Sequence, residues 1–380
     1  MSADGEPRPA PRSLLIVRLG AMGDVIHTLP AAATLRHAFP EAQIGWAVEE
    51  RWAELLCAKS AAPSGPRSPS RPLVDFVHVV NTKSWRKSPL AAETRHQLSA
   101  ALTEVREQKY ELAIDFQGAI KSALLARFSG AETVFGMHRP REGPAKIFYA
   151  RQVEAEGTHV IEQYASLAQR VIREFASAVS CSDPHVGTGA HTLPVELGST
   201  FEFPRDPVAE SSAREKLQNI GERFVILNPG AGWAAKQWPA ERYGEVARAL
   251  AAQGLCAIVN FGPGEEELAD AAQRASGGIA RPVSCSLAEL IALTRRASLF
   301  IGGDTGPLHL AAALGIPVVA IFGPTDPARN GPYGGRNIVL RNAASKTSLS
   351  HTSTPDPGLL QITSEEVVAA ARRLLEIPDA

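Results

Sequence analysis

Cysteine is scarce in this chain. Cys57, Cys181, Cys256 and Cys285 are the only four in 380 residues, and no two form a C-x-x-C pair. That spacing argues against a disulfide framework or a zinc site and fits small incidental side chains in a reducing compartment. Surplus charge is missing too: 39 Lys and Arg against 40 Asp and Glu leave a net charge of −1. Global charge therefore offers no attraction for a nucleic acid or an anionic membrane. No apolar run approaches the ~18 residues of a membrane span, and the polar, proline-containing residues 1–12 have no signal-peptide core. The expectation is a cytosolic protein without a transmembrane segment or a nucleic-acid partner.

Several catalytic signatures are absent as well. Gly20-Ala21-Met22-Gly23 is not the G-x-G-x-x-G dinucleotide fingerprint, and no acid is expected at the end of the second strand. There is no G-x-x-x-x-G-K-[ST] phosphate loop, no H-E-x-x-H and no G-x-S-x-G elbow. Hydride transfer, P-loop hydrolysis and serine-esterase chemistry are disfavoured accordingly. An Asp-x-Asp pair for a metal-bound diphosphate is also missing, so neither a metal nor a cofactor is expected.

What is present is strand–helix alternation. Residues 14–17, 43–48, 74–80, 112–116 and 133–136 read as short apolar strands, with helices at 31–38, 93–108 and 119–129. The same grammar restarts at 224–227. Helices at 240–253, 265–275 and 287–295 then alternate with strands at 257–261, 299–301 and 318–322. Continuous apolar strands separated by helices predict parallel sheets covered on both faces. The chain is too long for one ordinary core. The expected fold is α/β, with doubly wound domains over 12–203 and 212–345 and an amphipathic terminal helix within 360–377. Residues 60–72 and 345–358 read as mobile surface loops.

Five polar clusters stand just after strands, on the edge where such sheets meet their ligands. Asp24, in the first strand–helix turn, is placed either to cap a helix or to act as a general base, a role worth about 10²–10⁴ in rate. The run Asn228-Pro229-Gly230-Ala231-Gly232-Trp233 leads to Lys236. Gly230 permits close backbone approach to a ligand, and Lys236 offers a mobile cation to a phosphate. Gly262-Pro263-Gly264-Glu265-Glu266 offers a carboxylate to ribose hydroxyls, or simply an acid at a helix start. Asp304-Thr305-Gly306-Pro307-Leu308-His309 is a helix cap, a diphosphate site or both. Gly323-Pro324-Thr325-Asp326-Pro327 ends the last strand over the same edge. Four such clusters in the second half favour a nucleotide site there and leave the acceptor to the first half.

A family resemblance rests on five ordered segments: Arg18-Leu19-Gly20-Ala21-Met22-Gly23-Asp24, Asp115-Phe116-Gln117-Gly118-Ala119-Ile120-Lys121, Lys236-Gln237-Trp238-Pro239, Asp304 to His309, and Gly323 to Pro327. Together they resemble the ADP-heptose:lipopolysaccharide heptosyltransferases, glycosyltransferase family 9, with D-T-G-x-x-H and G-P-T-D-P forms nearer type I than type II. The resemblance covers nearly the whole chain. It implies the GT-B architecture, two Rossmann-like halves facing a central cleft, with the last helix packing back on the N-terminal half. It implies inverting transfer of L-glycero-D-manno-heptose from ADP-heptose to a Kdo residue of the lipopolysaccharide inner core. The acceptor would be of Kdo-lipid A type at a membrane surface, and the enzyme cytoplasmic, peripheral to the inner face of the inner membrane.

By the same resemblance Asp24 is the catalytic base. Lys236, Glu266 (Glu265 if the loop shifts by one), Asp304, Thr305, Gly306 and His309 hold the donor, and Arg86, Lys87, Lys121 and Arg141 face the anionic acceptor. Ala231-Gly232 stand where type I members often carry two threonines, so backbone N–H groups must replace hydroxyl contacts to phosphate. Residues 66–72 look like an insertion on the acceptor side. A family member with another acceptor, a same-fold nucleotide-sugar epimerase and a sugar-nucleotide binding protein are the competing readings.

Overall fold

A computed structural model of the chain describes residues 9–82, 91–175, 201–218, 220–221, 223–348 and 352–377. The chain divides into two compact units between Arg205 and Asp206. The first contains β1 (Ser13–Val17), β2 (Gln43–Glu49), β3 (Phe76–Val80), β4 (Leu112–Asp115), β5 (Thr133–Met137) and β6 (Arg151–Val153), in the sheet order β3-β2-β1-β4-β5-β6. The second contains β7 (Phe224–Asn228), β8 (Cys256–Phe261), β9 (Arg281–Ser284), β10 (Leu299–Gly303), β11 (Val318–Phe322) and β12 (Asn337–Arg341), in the order β12-β11-β10-β7-β8-β9. Counted from its own first strand, each sheet has the doubly wound order 3-2-1-4-5-6. Every strand pair named here is parallel.

The strands found from sequence include every central one, because burial on both faces demands unbroken apolar runs, and the edge strand β3 as well: β1, β7, β10 and β11 are buried at every position. The strands missed, β6, β9 and β12, all lie at or beside a sheet edge and are partly exposed. Helices α1 (Met22–Ala38), α2 (Ala92–Glu107), α3 (Ile120–Phe128) and α4 (Val160–Glu174) belong to the first unit. The second holds α5 (Pro207–Leu217), α6 (Ala240–Ala251), α7 (Glu266–Ala275), α8 (Leu287–Thr294), α9 (Gly306–Ala313), α10 (Pro327–Asn330) and α11 (Ser364–Leu375). Among the described residues no helix is long and apolar enough to cross a membrane.

Four expectations need correction. Helix α1 starts at Met22, not Ala31, and runs through Pro30, so Asp24 lies in its first turn rather than in a loop. An amphipathic helix, α4, was not expected at all; it buries Val160, Ile161, Tyr164, Leu167 and Val171. The terminal helix α11 packs on the second unit: Val367, Ala370, Ala371 and Leu374 join Val225, Trp238, Tyr243 and Val319 in one core. Trp238 Nε1 (3.0 Å) and an Arg242 guanidinium N–H (2.6 Å) both donate to Ile362 O just before that helix.

The fourth correction concerns the loops. Residues 60–72 fold around the buried guanidinium of Arg71, which donates to the carbonyls of Ala62, Gly65, Pro66 and Val74. In the second loop, Asp356 accepts from Ser345 Oγ at 2.6 Å, and its own N–H donates to Ala235 O at 3.2 Å. Removing a buried cation that serves four carbonyls leaves those acceptors without partners, at a cost of about 1–3 kcal/mol each when desolvated. Arg71→Leu should therefore open the loop, speeding tryptic cleavage after Arg67 at least about tenfold at unchanged protease concentration. Cleavage at the wild-type rate would show that Arg71 does not hold this loop.

Candidate active site

In each unit the strand order reverses between the first and fourth strands, and the candidate residues gather at that reversal. In the second unit the strands are β7 and β10, paired from Val225–Leu299 to Asn228–Gly302. The chain leaving β7 forms a short turn, Ala234–Lys236, and the chain leaving β10 opens α9 through Asp304 and Thr305. Lys236 and Asp304 form an ion pair there, with side chains only 11% and 8% exposed. Gly303 lets the two approach, since a Cβ on it would lie 3.2 Å from Lys236 O. One turn into α9, His309 Nε2 donates to Asp304 Oδ1 at 3.1 Å. The ammonium of Lys236 also sits 4.2 Å above the ring centroid of Trp233.

Burial opposes ionisation of Asp304, but the His309 and Lys236 contacts outweigh it and hold the carboxyl well below the usual carboxylate range. The capping alternative for this hexapeptide fails. Asp304 spends both oxygens on Lys236 and His309, and Thr305 Oγ1 donates back to Gly303 O at 3.2 Å. Among the described residues no side chain caps α9, so Gly306 begins a helix whose first N–H groups are left to another acceptor.

Two neighbouring loops complete this edge. At Gly230 the missing side chain leaves room for the carboxylate of Glu265, which lies where a Cβ would stand. Glu265, not Glu266, is the acid turned toward the loops: it accepts from the Gly262 N–H at 2.9 Å, while Glu266 starts α7 in solvent. The one-residue difference comes from the turn at Gly264, whose φ of +85° lets the chain reverse just before the helix.

The first unit repeats the arrangement at β1 and β4. Asp24, at the third position of α1, accepts from the Ala21 N–H at 3.0 Å and from Arg18 at 2.8 Å. Arg18 itself is buried, donates to Phe116 O at 2.6 Å and lies over Tyr164. Gln117 Oε1 takes the Leu19 N–H at 2.8 Å, so the loop after β4 braces the turn after β1. Asp115 anchors that loop. It accepts from the Gln117 and Gly118 N–H groups, Ser122 and Tyr149, and complete burial raises its pKa. Asp24 is thus a fixed carboxylate, 35% exposed, on a rigid support.

Elsewhere in the first unit, Lys121 Nζ donates to Thr82 Oγ1 at 2.8 Å and lies 3.9 Å from Glu49, which also accepts from Thr82. Glu49 ends β2, contrary to the expectation that no acid stands there. Arg141 is exposed, with its backbone packed close to Gly118. Arg86 and Lys87 lie outside the described residues. Sequence reasoning missed Arg18, Glu49 and Trp233. Arg18 carried a signal, its place at the end of the first apolar strand; the other two resemble ordinary turn residues.

The model of glycosyltransferase family 9 (heptosyltransferase) matches residues 99–357. Lipopolysaccharide heptosyltransferase 1 of Pseudomonas aeruginosa is 30% identical over 333 residues, 86% of this chain and 83% of its own length. The solved structure of the E. coli heptosyltransferase WaaC with ADP is 28% identical, with a TM-score of 0.68 over 95% of this chain and 99% of its own. A WaaC structure with ADP-2-deoxy-2-fluoro heptose is 27% identical, with a TM-score of 0.67 over 95% and 99%.

The buried Lys236–Asp304 pair makes a stability prediction. Asp304→Asn leaves an uncompensated buried ammonium and should lower the unfolding free energy at pH 7 by about 3 kcal/mol. Because the folded pKa of Asp304 is depressed, its ionised form stabilises fully above the unfolded value near ~4 and loses that effect as pH falls through the folded value. Urea midpoints of wild type and variant should differ clearly at pH 7, and the gap should begin to narrow only below about pH 4. A gap that widens on acidification would contradict the assignment.

Proposed function

Because the chain belongs to glycosyltransferase family 9, the heptosyltransferases, we propose that it transfers L-glycero-D-manno-heptose from ADP-heptose to a Kdo residue of the lipopolysaccharide inner core, inverting the anomeric centre. The observation that carries this reading is the cluster of Lys236, Asp304 and His309 at the strand reversal of one unit, matched by the braced carboxylate of Asp24 at the same reversal of the other. The WaaC structures with ADP and with a fluorinated ADP-heptose support the donor. The type 1 name of the Pseudomonas relative supports the Kdo acceptor.

In this mechanism Lys236 and the uncapped N–H groups of α9 take the diphosphate, and Glu265 takes the ribose hydroxyls in place of Glu266. Asp24 accepts the proton of the acceptor hydroxyl as that oxygen bonds to the anomeric carbon. The bond from that carbon to the phosphate oxygen breaks, and ADP leaves with the electron pair. Lys236 balances the charge that develops on it. Asp304 cannot serve as a second base, since its carboxylate is already taken by Lys236 and His309. Thr305 and Gly306 line the donor side beside them, while Lys121 and Arg141, with Arg86 and Lys87, meet the anionic acceptor. A family 9 transferase with a different glycan acceptor is the second reading, favoured by the Arg71-centred loop at 60–72.

Asp24→Asn should reduce kcat by about 10²–10⁴ while leaving ADP affinity within about twofold. Lys236→Ala should weaken ADP binding at least about tenfold. ADP release measured with Kdo-lipid A, and with the same acceptor already heptosylated, separates the readings. Turnover on the second acceptor alone excludes the Kdo assignment, and ADP-heptose consumption with no acceptor at all points to an epimerase or hydrolase.

A further inference from the structure

A line of polar groups crosses the ends of three neighbouring strands in the second unit, outside every residue assigned above except Gly230. Cys285, just after β9, donates its thiol hydrogen to Asn260 Oδ1 on β8, with sulfur and oxygen 3.0 Å apart. Asn260 Nδ2 donates to Asn228 Oδ1 at the end of β7, at 2.6 Å. Asn228 Nδ2 donates to Gly230 O at 3.2 Å. Both asparagines are buried, and all three bonds run the same way, from thiol to carbonyl. Burial pushes the Cys285 thiol up to about 12, so at neutral pH it keeps the hydrogen that starts the series.

The series ends on one peptide plane. The Gly230–Ala231 peptide is trans, and in a trans peptide the C=O and N–H point in opposite directions. A Gly230 carbonyl held by Asn228 therefore turns the Ala231 N–H away from Asn228. Among the described residues that N–H donates to no protein acceptor. It stands five residues before Lys236 on the same loop. We infer that Cys285, Asn260 and Asn228 are positioning residues that aim the Ala231 N–H at a phosphate of the bound nucleoside diphosphate. This deepens the proposed donor site and rests on it. It also shows how the site manages without hydroxyl side chains at Ala231 and Gly232: a side-chain contact is replaced by a main-chain donor whose direction is held from inside the sheet.

The test is calorimetric titration of the full-length chain with ADP and with adenosine. Asn228→Asp sets a carboxylate oxygen against Gly230 O, and replacement of Ala231 by lactic acid deletes the single N–H. Each should weaken ADP about tenfold, the worth of one hydrogen bond to a charged group, and leave adenosine unchanged. Cys285→Ser keeps a donor and should bind ADP within about twofold of wild type, whereas Cys285→Ala should lose about threefold. Unchanged ADP affinity in the aspartate and lactate variants overturns the inference, as does a parallel loss of adenosine, which would mean the whole loop had loosened. If Asn228→Asp fails to fold, the lactate substitution and the cysteine pair still decide. A wild-type chain that binds no ADP defeats the donor-site reading first; one that binds ADP through Lys236 but ignores these substitutions defeats only the relay.

Discussion

A parallel strand buried on both faces has no room for polar chemistry until its last paired residue, and that constraint organises the whole molecule. In each unit the inner strands put the charge of the candidate site at or beyond their C-terminal ends, and only where the strand order reverses do two such ends leave in opposite directions. Asp24 and the Asp115–Gln117 loop occupy that place in one unit; Lys236 and Asp304 occupy it in the other. The duplication is architectural, yet the two sites are built for opposite tasks.

The difference lies in how each carboxylate is partnered. Asp304 is almost enclosed and bonded on both oxygens, so it fixes a cation and orients an imidazole, and its own proton affinity is spent. Asp24 is tethered by one guanidinium and one N–H but remains a third exposed, so its position is fixed while lone pairs stay open to a hydroxyl. Arg18 can hold it firmly because the arginine is itself immobilised by Phe116 O and the Tyr164 ring. Two carboxylates at the strand reversals of their units, one after a first strand and one after a fourth, thereby divide into a structural anion and a candidate base.

How far this was legible in the sequence follows from the same constraint. Central strands and the residues just after them are found easily, because an apolar run that stops at Asp304 or just short of Asp24 leaves few alternatives. Edge strands such as β9 and β12 and the amphipathic α4 escape, since partial exposure dilutes their patterns. The first helix reads as starting at residue 31, although α1 begins at Met22, holds Asp24 in its first turn and runs through Pro30. Glu265 and Glu266 differ by a helical step that only the turn at Gly264 decides. Residues 60–72 read as a flexible polar loop because composition cannot reveal that one arginine will serve four carbonyls at once.

The polar residues inside the second sheet carry the argument one step further. Asn228 and Asn260 stand at strand ends where apolar side chains would pack at least as well, and burying two amides is favourable only if each finds partners. They find them in each other, in a protonated thiol and in one carbonyl, so the series is closed at every atom that was buried to make it. What remains open is the N–H on the far side of that carbonyl. A protein that needed only a stable sheet edge could have used a valine here. The cost of the buried amides makes sense if the orientation of that single peptide is what they secure, and orientation matters most where a phosphate must be met by main chain alone.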